Sequence, residues 1–267
     1  MVVEKKILIE KKDHVTTIIL NNPEKRNAIN KEMFDAIKSI FAELNNDKET
    51  WVVVIKGSES KGNKIFTSGI DYFELASNSE KTIFELDKMG KDLQESFNAV
   101  ERVNKPVIAL MEGYCLGAGL ELVLACDIRI ATNTCLIGFP ETELGIIPDL
   151  GGTTRMVRTI GVGQTKRMIL TADKITGKEA KEIGLIDYLV TPDFAEQKLN
   201  EIVTSLLKRS PLALSRGKQL INEVYHLDIE SALKVERMTQ LELMQAEDTR
   251  EAFISRMEKR NPIWKNK

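Results

Sequence analysis

The sequence predicts an α/β fold, and three observations carry that reading. Buried strands and amphipathic crossovers alternate over residues 51 to 132. A strand runs through closely spaced glycines into a helix at GYCLGAGLELVLACD, residues 113 to 127. From about residue 193 the pattern changes to helices alone, with no low-complexity linker, so residues 1–192 read as the α/β core and 193–267 as a helical region packed on the core or on a second subunit.

Taken in order, ILIEKKDHVTTIIL at 7–20 reads as two strands around the turn at Lys12, Asp13 and His14, the second strand β-branched. Pro23 blocks its continuation, and NNPEKRNAIN is a polar loop. Asn30 caps a helix whose Phe34, Ile37, Phe41 and Leu44 keep three-and-four spacing. WVVVIKG at 51–57 is an apolar run suited to a strand buried on both faces. The segment 58–78 is a loop turning at Gly69, and 81–104 a helix with Phe84, Met89, Leu93, Phe97, Val100 and Val103 as its buried stripe. VIAL after Pro106, IRIAT at 128–132 and IGLIDYLV at 183–190 are further strands, and 193–209, 212–225 and 228–260 the closing helices.

With 267 residues, 42% of them hydrophobic and 29% charged, and a net charge of −2, the chain has no excess of positive charge to favour nucleic acid or a membrane surface as its main partner. No apolar run approaches the ~20 residues that span a bilayer, and the N-terminus lacks a signal-peptide pattern, so a soluble, cytoplasmic protein is expected. Cys115, Cys126 and Cys135 follow no CxxC spacing and suggest neither disulfides nor zinc; no metal site is expected. His14 and His226 stand apart and offer little for histidine chemistry.

Three carboxylates stand out. Glu121 lies one turn inside an apolar helix, where an unpaired charge costs several kcal/mol to bury, so it reads as a working residue. Glu141 follows Pro140 and Asp149 follows Pro148, and acidic residues beside prolines and glycines usually belong to solvated turns. Brought to one substrate, two carboxylates divide acid and base roles, because repulsion raises one pKa. The backbone N–H groups near Gly117, Ala118 and Gly119 open a helix and favour a negative atom. FTSGIDYF at 66–73 is a second glycine bend with exposed donors; two such bends facing one another would aim two N–H groups at one oxygen. Spacing alone leaves open whether they face each other.

Several ordered motifs, LNNPEKRNAIN, FTSGID, GYCLGAGLELVLACDIRIA, GFPETELGIIPDLGGTTRM, LTADKITGKEAKEIGLID and MEKRNP, together resemble the crotonase family, the enoyl-CoA hydratase/isomerase superfamily, over nearly the whole length. The resemblance implies a crotonase-like spiral of repeated ββα units, a C-terminal trimerisation region, and assembly as a homotrimer or dimer of trimers. It implies an enolate held by the amides of Ile70 and Ala118, with Glu141 as proton donor to C2 and Glu121 as base in adding water to a 2-enoyl-CoA. It places Lys25, Arg26 and Ala28 in the CoA-binding loop and Ile70, Asp71 and Tyr72 against pantetheine, with Ser68, Gly69, Gly117 and Pro140 lining the same path. Lys259 matches a basic position near the nucleotide phosphate. CoA would be the carrier of the acyl-CoA substrate, with no separate cofactor. Asp149 stands where simple hydratases usually have glycine, and with the FTSGIDYFELASN loop resembles dienoyl-CoA isomerases, which carry aspartate where this chain has Glu121. An enoyl-CoA or dienoyl-CoA double-bond isomerase using Asp149 is therefore the alternative. Tyr72, Phe73, Phe84 and Met89 are candidates for the acyl pocket.

Two readings of other kinds are weaker. As a dinucleotide loop, GYCLGAGLEL has Leu122 where GxGxxG needs a small residue. An RNA-binding role would rest on the basic MEKRNPIWKNK alone.

Overall fold

A computed structural model describes residues 6–72 and 81–267. Strands β1 (Ile7–Lys12) and β2 (Val15–Leu20) form the expected hairpin, with Asp13 and His14 both left-handed at its turn. Helix α1 (Lys31–Asn46) starts at Asn30, whose Oδ1 accepts the Met33 amide at 3.1 Å, and buries the four predicted apolar positions. Strands β3 (Val52–Gly57), β6 (Val107–Met111), β8 (Ile128–Thr132) and β11 (Tyr188–Val190) continue from β2 in parallel, giving a six-stranded sheet in the order β1-β2-β3-β6-β8-β11.

Alternation along these strands builds two apolar layers. Val53, Ile55, Val107 and Ala109 face α1 and α2 (Ile83–Arg102) in the main core. Val52, Val54, Ile108 and Leu110 face α6 (Ala195–Leu207) through Ala195, Leu199, Ile202 and Val203. Thus the first helix of the C-terminal region completes the sheet's second face. The later helices, α7 (Pro211–Val224), α8 (Ile229–Met244) and α9 (Glu247–Met257), bury little, and α8 has no buried residue among those described.

The site rests on a smaller second layer. Beyond Glu112 and Gly113 the chain enters β7 (Tyr114–Leu116), which pairs in parallel with β9 (Leu136–Gly138), itself antiparallel to β10 (Lys174–Thr176). Single bridges extend this layer, Thr67 to Cys115 and Ile29 to Ile70. A short β4 (Glu59–Ser60) and β5 (Asn63–Lys64) hairpin, the helix α3 (Ala118–Leu124), a long α4 (Gly152–Thr171) interrupted at Gly161, and α5 (Gly177–Glu182) complete the description.

Several expectations are corrected. Phe84 is 78% exposed, because the first turn of α2 projects past the core; the buried stripe begins with the partly buried Met89 and the buried Leu93. The run 183–190 is strand only over its last three residues, since the chain leaving α5 turns at Ile183 and the left-handed Gly184 before the strand begins. The helix expected over 228–260 is two, broken where Ala246 adopts extended backbone and caps α9. Phe73 and the end of the 58–78 loop lie outside the described residues. No helix among the described residues is long and apolar enough to cross a membrane, and no described cluster of His, Cys, Asp and Glu could hold a metal ion.

Candidate active site

The two glycine bends meet. Gly69, at φ +106°, packs against the Leu116 carbonyl, and Gly117, at φ +51°, lies within van der Waals reach of Gly69, as a Cβ built on Gly117 would stand 3.9 Å from the Gly69 Cα. Positive φ at both positions, and the lack of room for a Cβ, explain why glycine occupies each. Ile70 and Ala118 follow these bends directly. Among the described residues neither the Ile70 nor the Ala118 amide donates to a backbone oxygen. Ala118 is the first residue of α3, so its N–H is one of the helix's unpaired donors.

The bend carrying Ile70 is tied to the loop at 22–29. The Ile29 amide donates to Gly69 O at 2.8 Å, the Asp71 amide to Ile29 O at 2.9 Å, and the Ser68 amide to Arg26 O at 3.0 Å. Lys25 pairs with the buried Asp71 carboxylate at 2.6 Å, so these two predicted CoA contacts hold each other and cross-link the loops. Asn27, overlooked in the sequence, is the post of the assembly. It is fully buried with left-handed backbone; its side-chain amide donates to Ser58 O and Ile65 O, and its Oδ1 accepts from the Asn22 amide. Its signal was an asparagine in a turn, the residue type that tolerates that conformation. Ala28 is buried, while Arg26 and Tyr72 are exposed.

Glu121 projects from the first turn of α3 and is 2% exposed. Its Oε1 accepts the Leu150 amide at 2.8 Å and the Gly152 amide at 2.9 Å, both donors unseen from sequence. Gly152 must be glycine here, since a Cβ would meet Glu121 Oε1 at 2.7 Å. Burial pushes the Glu121 carboxyl up to about 8, against the lowering effect of the Gly152 amide, with the Glu141 and Asp149 charges adding to the rise. Glu141 opens a 3-10 turn, Glu141–Leu144, after Pro140. Its Oε1 stands against Gly117, where a Cβ would come within 2.7 Å, and its Oε2 is buried without a hydrogen-bond partner among the described residues. Burial raises it to about 7, with Asp149 adding to the rise. Asp149 is solvent-exposed by area, yet protein crowds it on one side and raises its carboxyl too. The three predicted carboxylates therefore share one electrostatic field.

Lys259 stands apart, exposed beyond α9, and no hydrogen bond or ion pair among the described residues joins it to this site. A surface cleft of about 840 Å³ also lies elsewhere, along the C-terminal ends of the main sheet. It shares only Arg26 with the predicted residues, and its charges pair among themselves, as Lys64 does with Glu112 at 3.6 Å and Glu196 at 3.9 Å.

Comparison with known proteins gives the family. The family model for enoyl-CoA hydratase/isomerase matches residues 10–267. The chain belongs to the enoyl-CoA hydratase/isomerase family. Among its relatives, a short-chain-enoyl-CoA hydratase of Clostridium acetobutylicum is 35% identical, with 95% of each chain covered. A crotonyl-CoA hydratase of Syntrophomonas wolfei is 34% identical, also with 95% of each covered. A solved enoyl-CoA hydratase from Bacillus anthracis superposes with a TM-score of 0.91 at 31% identity, covering 98% of this chain and 100% of that one.

Proposed function

We propose that this chain adds water across the 2,3 double bond of a 2-enoyl-CoA thioester, in fatty-acid or related acyl-CoA metabolism. The observation that carries this reading is the meeting of the two bends, where among the described residues the Ile70 and Ala118 amides have no backbone acceptor and Glu141 Oε1 stands against Gly117. A thioester oxygen between the two amides would gain its strongest interaction as the enolate forms, and one such donor is worth about 3 to 4 kcal/mol of barrier. Water then adds its oxygen to C3, losing a proton to one glutamate while C2 takes a proton from the other.

Glu121 suits the base and Glu141 the acid. The amides on Glu121 Oε1 favour its charged form, whereas the unpartnered Oε2 of Glu141 favours a proton it can donate. In the ligand-free chain the proton affinities run the other way, about 8 against about 7. The two values lie close together, so the single proton of the pair can sit on either glutamate, and the amides on Glu121 Oε1 are in place to receive its charge when water is bound. The pair needs only one proton in total to turn over. The Lys25–Asp71 link shapes the CoA-binding loop, Arg26 and Lys259 are offered to the CoA phosphates, and Ser68, Tyr72 and Pro140 flank the thioester path. CoA arrives with the substrate, and no separate cofactor is required.

A double-bond shift in an enoyl- or dienoyl-CoA is the second reading, favoured by the field Asp149 exerts on both glutamates. Comparing hydration of a short 2-enoyl-CoA with isomerisation of 3-enoyl- and dienoyl-CoA, in wild type and Asp149→Asn, separates the two. Hydration that survives Asp149→Asn, without appreciable isomerisation in the wild type, is expected. Isomerisation that dominates and disappears in Asp149→Asn would replace the hydratase reading.

Assembly belongs to the same proposal. Ile229, Leu233, Met238, Leu241 and Met244 on α8 are each more than half exposed, an apolar area larger than a lone helix normally leaves to water. A homotrimer or a dimer of trimers would cover them. Sedimentation should give three or six times the chain mass, and Leu241→Glu should shift it toward the monomer. A wild type that sediments as a single chain would rule this out.

A further inference from the structure

The two amides that hold Glu121 sit on a turn that is itself gripped from α2. Three residues of that helix, Gln94, Asn98 and Glu101, lie on one stripe at helical spacing. Gln94 Nε2 donates to Asp149 O at 2.6 Å. Asn98 and Glu101 bind the guanidinium of Arg155, which donates to Asn98 Oδ1 at 2.6 Å through one terminal nitrogen and to Glu101 Oε2 at 2.8 Å and 3.1 Å. The other terminal nitrogen donates to Leu150 O at 3.3 Å. Arg155 is 8% exposed, and its guanidinium is packed so closely against Gly151 that a Cβ there would stand 2.0 Å away. On the far side of the same turn, Thr153 Oγ1 donates to Pro148 O at 2.8 Å.

We propose that Arg155, held by Asn98 and Glu101, is a positioning residue for Glu121: it fixes the Leu150–Gly152 turn so that both amides point at one carboxylate oxygen. A planar guanidinium with donors on several edges can join one helix's side chains to another segment's carbonyl, which a lysine cannot do. Arg155 touches neither the proposed water nor the thioester; it acts only through the turn. The inference rests on the reading of Glu121 as the base.

The turn's amides favour the charged form of Glu121, opposing burial and the two carboxylates that face it, Glu141 and Asp149. Releasing the turn therefore raises the proton affinity of Glu121. Removing Arg155 leaves Glu101 in solvent, since its side chain is 43% exposed, so Arg155→Met strands no buried charge. In Arg155→Met the acid limb of the pH profile for kcat/KM should move to higher pH. In the same variant kcat should fall on the order of 10²-fold with KM little changed, the scale expected of a misplaced reacting group. Glu101→Gln keeps an acceptor for the guanidinium and should stay near wild type. The double variant Gln94→Ala/Asn98→Ala, at two half-buried positions, should shift the limb in the same direction by less and serves if Arg155→Met does not fold.

Carboxyl carbon NMR of Glu121 in the ligand-free full-length protein gives a readout independent of turnover. Its titration should move to higher pH in Arg155→Met and in the double variant. An unmoved Glu121 titration in a folded variant overturns the positioning role, whatever the kinetics. A wild type that does not hydrate a 2-enoyl-CoA overturns the functional reading instead, and leaves the NMR result to judge the turn.

Discussion

Glu121→Gln and Glu141→Gln should each lower kcat for hydration of a short 2-enoyl-CoA by ~10² to 10⁴-fold, the range that proton transfer by a positioned side chain supplies. Glutamine preserves volume and an amide oxygen, so the loss measures proton transfer and not packing. At Glu121 that oxygen can still accept the Leu150 and Gly152 amides. KM should change little, because the thioester oxygen and the CoA contacts lie on other residues. The double variant should be hardly slower than the worse single one, since acid and base serve one transition state and act as a unit. What remains should exceed the uncatalysed rate, because the amides of Ile70 and Ala118 are untouched. Steady-state kinetics on the three variants, with acyl-CoA binding measured separately, decides the matter. If either single variant keeps wild-type kcat, that glutamate does not transfer a proton in the slow step. If Asp149→Asn suffers the larger loss, the double-bond shift becomes the better reading.

Much of this site could be read from residue types, and the part that could not has a common cause. Glu121 declared itself because a carboxylate between Leu120 and Leu122 has no reason to be buried unless it works or is held. Gly69 and Gly117 declared themselves as breaks after buried strands. The Leu150 and Gly152 amides were invisible, because every residue but proline has an N–H and sequence does not say where it points. Asn27 and Arg155 act through backbone carbonyls, so their neighbours in sequence gave no hint of partners. Five strands of the main sheet were legible from runs of five or six residues, whereas β7, β9 and β10, like β11 at the edge of that sheet, span three residues each and are too short to establish a period. Phe84 misled for the opposite reason, as a regular spacing extended one turn further than the surface it packs on. Across Gln245 and Ala246 an apolar pattern persists through a break it does not register, because one extended residue shifts the phase too little.

The same burial that tunes Glu121 should make the fold less stable as pH rises. An ordinary carboxyl titrates near 4.5, and in the folded chain Glu121 does so at about 8. Between those values the folded chain keeps a proton that the unfolded chain gives up, so stability is lost as pH climbs through this window, in contrast to a salt-bridged carboxylate. Above about pH 8 the cost levels off on the order of 4 to 5 kcal/mol. Glu121→Gln removes the titration while filling the same space, so it should stabilise the ligand-free protein by a few kcal/mol at pH 8.5 and by less than about 1 kcal/mol at pH 5. Glu141→Gln should act in the same direction by a smaller amount, since that side chain is only half-buried and titrates at about 7. Urea unfolding at the two pH values, at fixed protein concentration, measures the difference directly. An equal gain at both values would trace the effect to packing, and no gain at pH 8.5 would mean that the amides of Leu150 and Gly152 outweigh burial and keep Glu121 charged well below pH 8. A gain confined to high pH, in the variant that no longer turns over, would show that the chain gives up stability to hold a proton acceptor in a dry cleft.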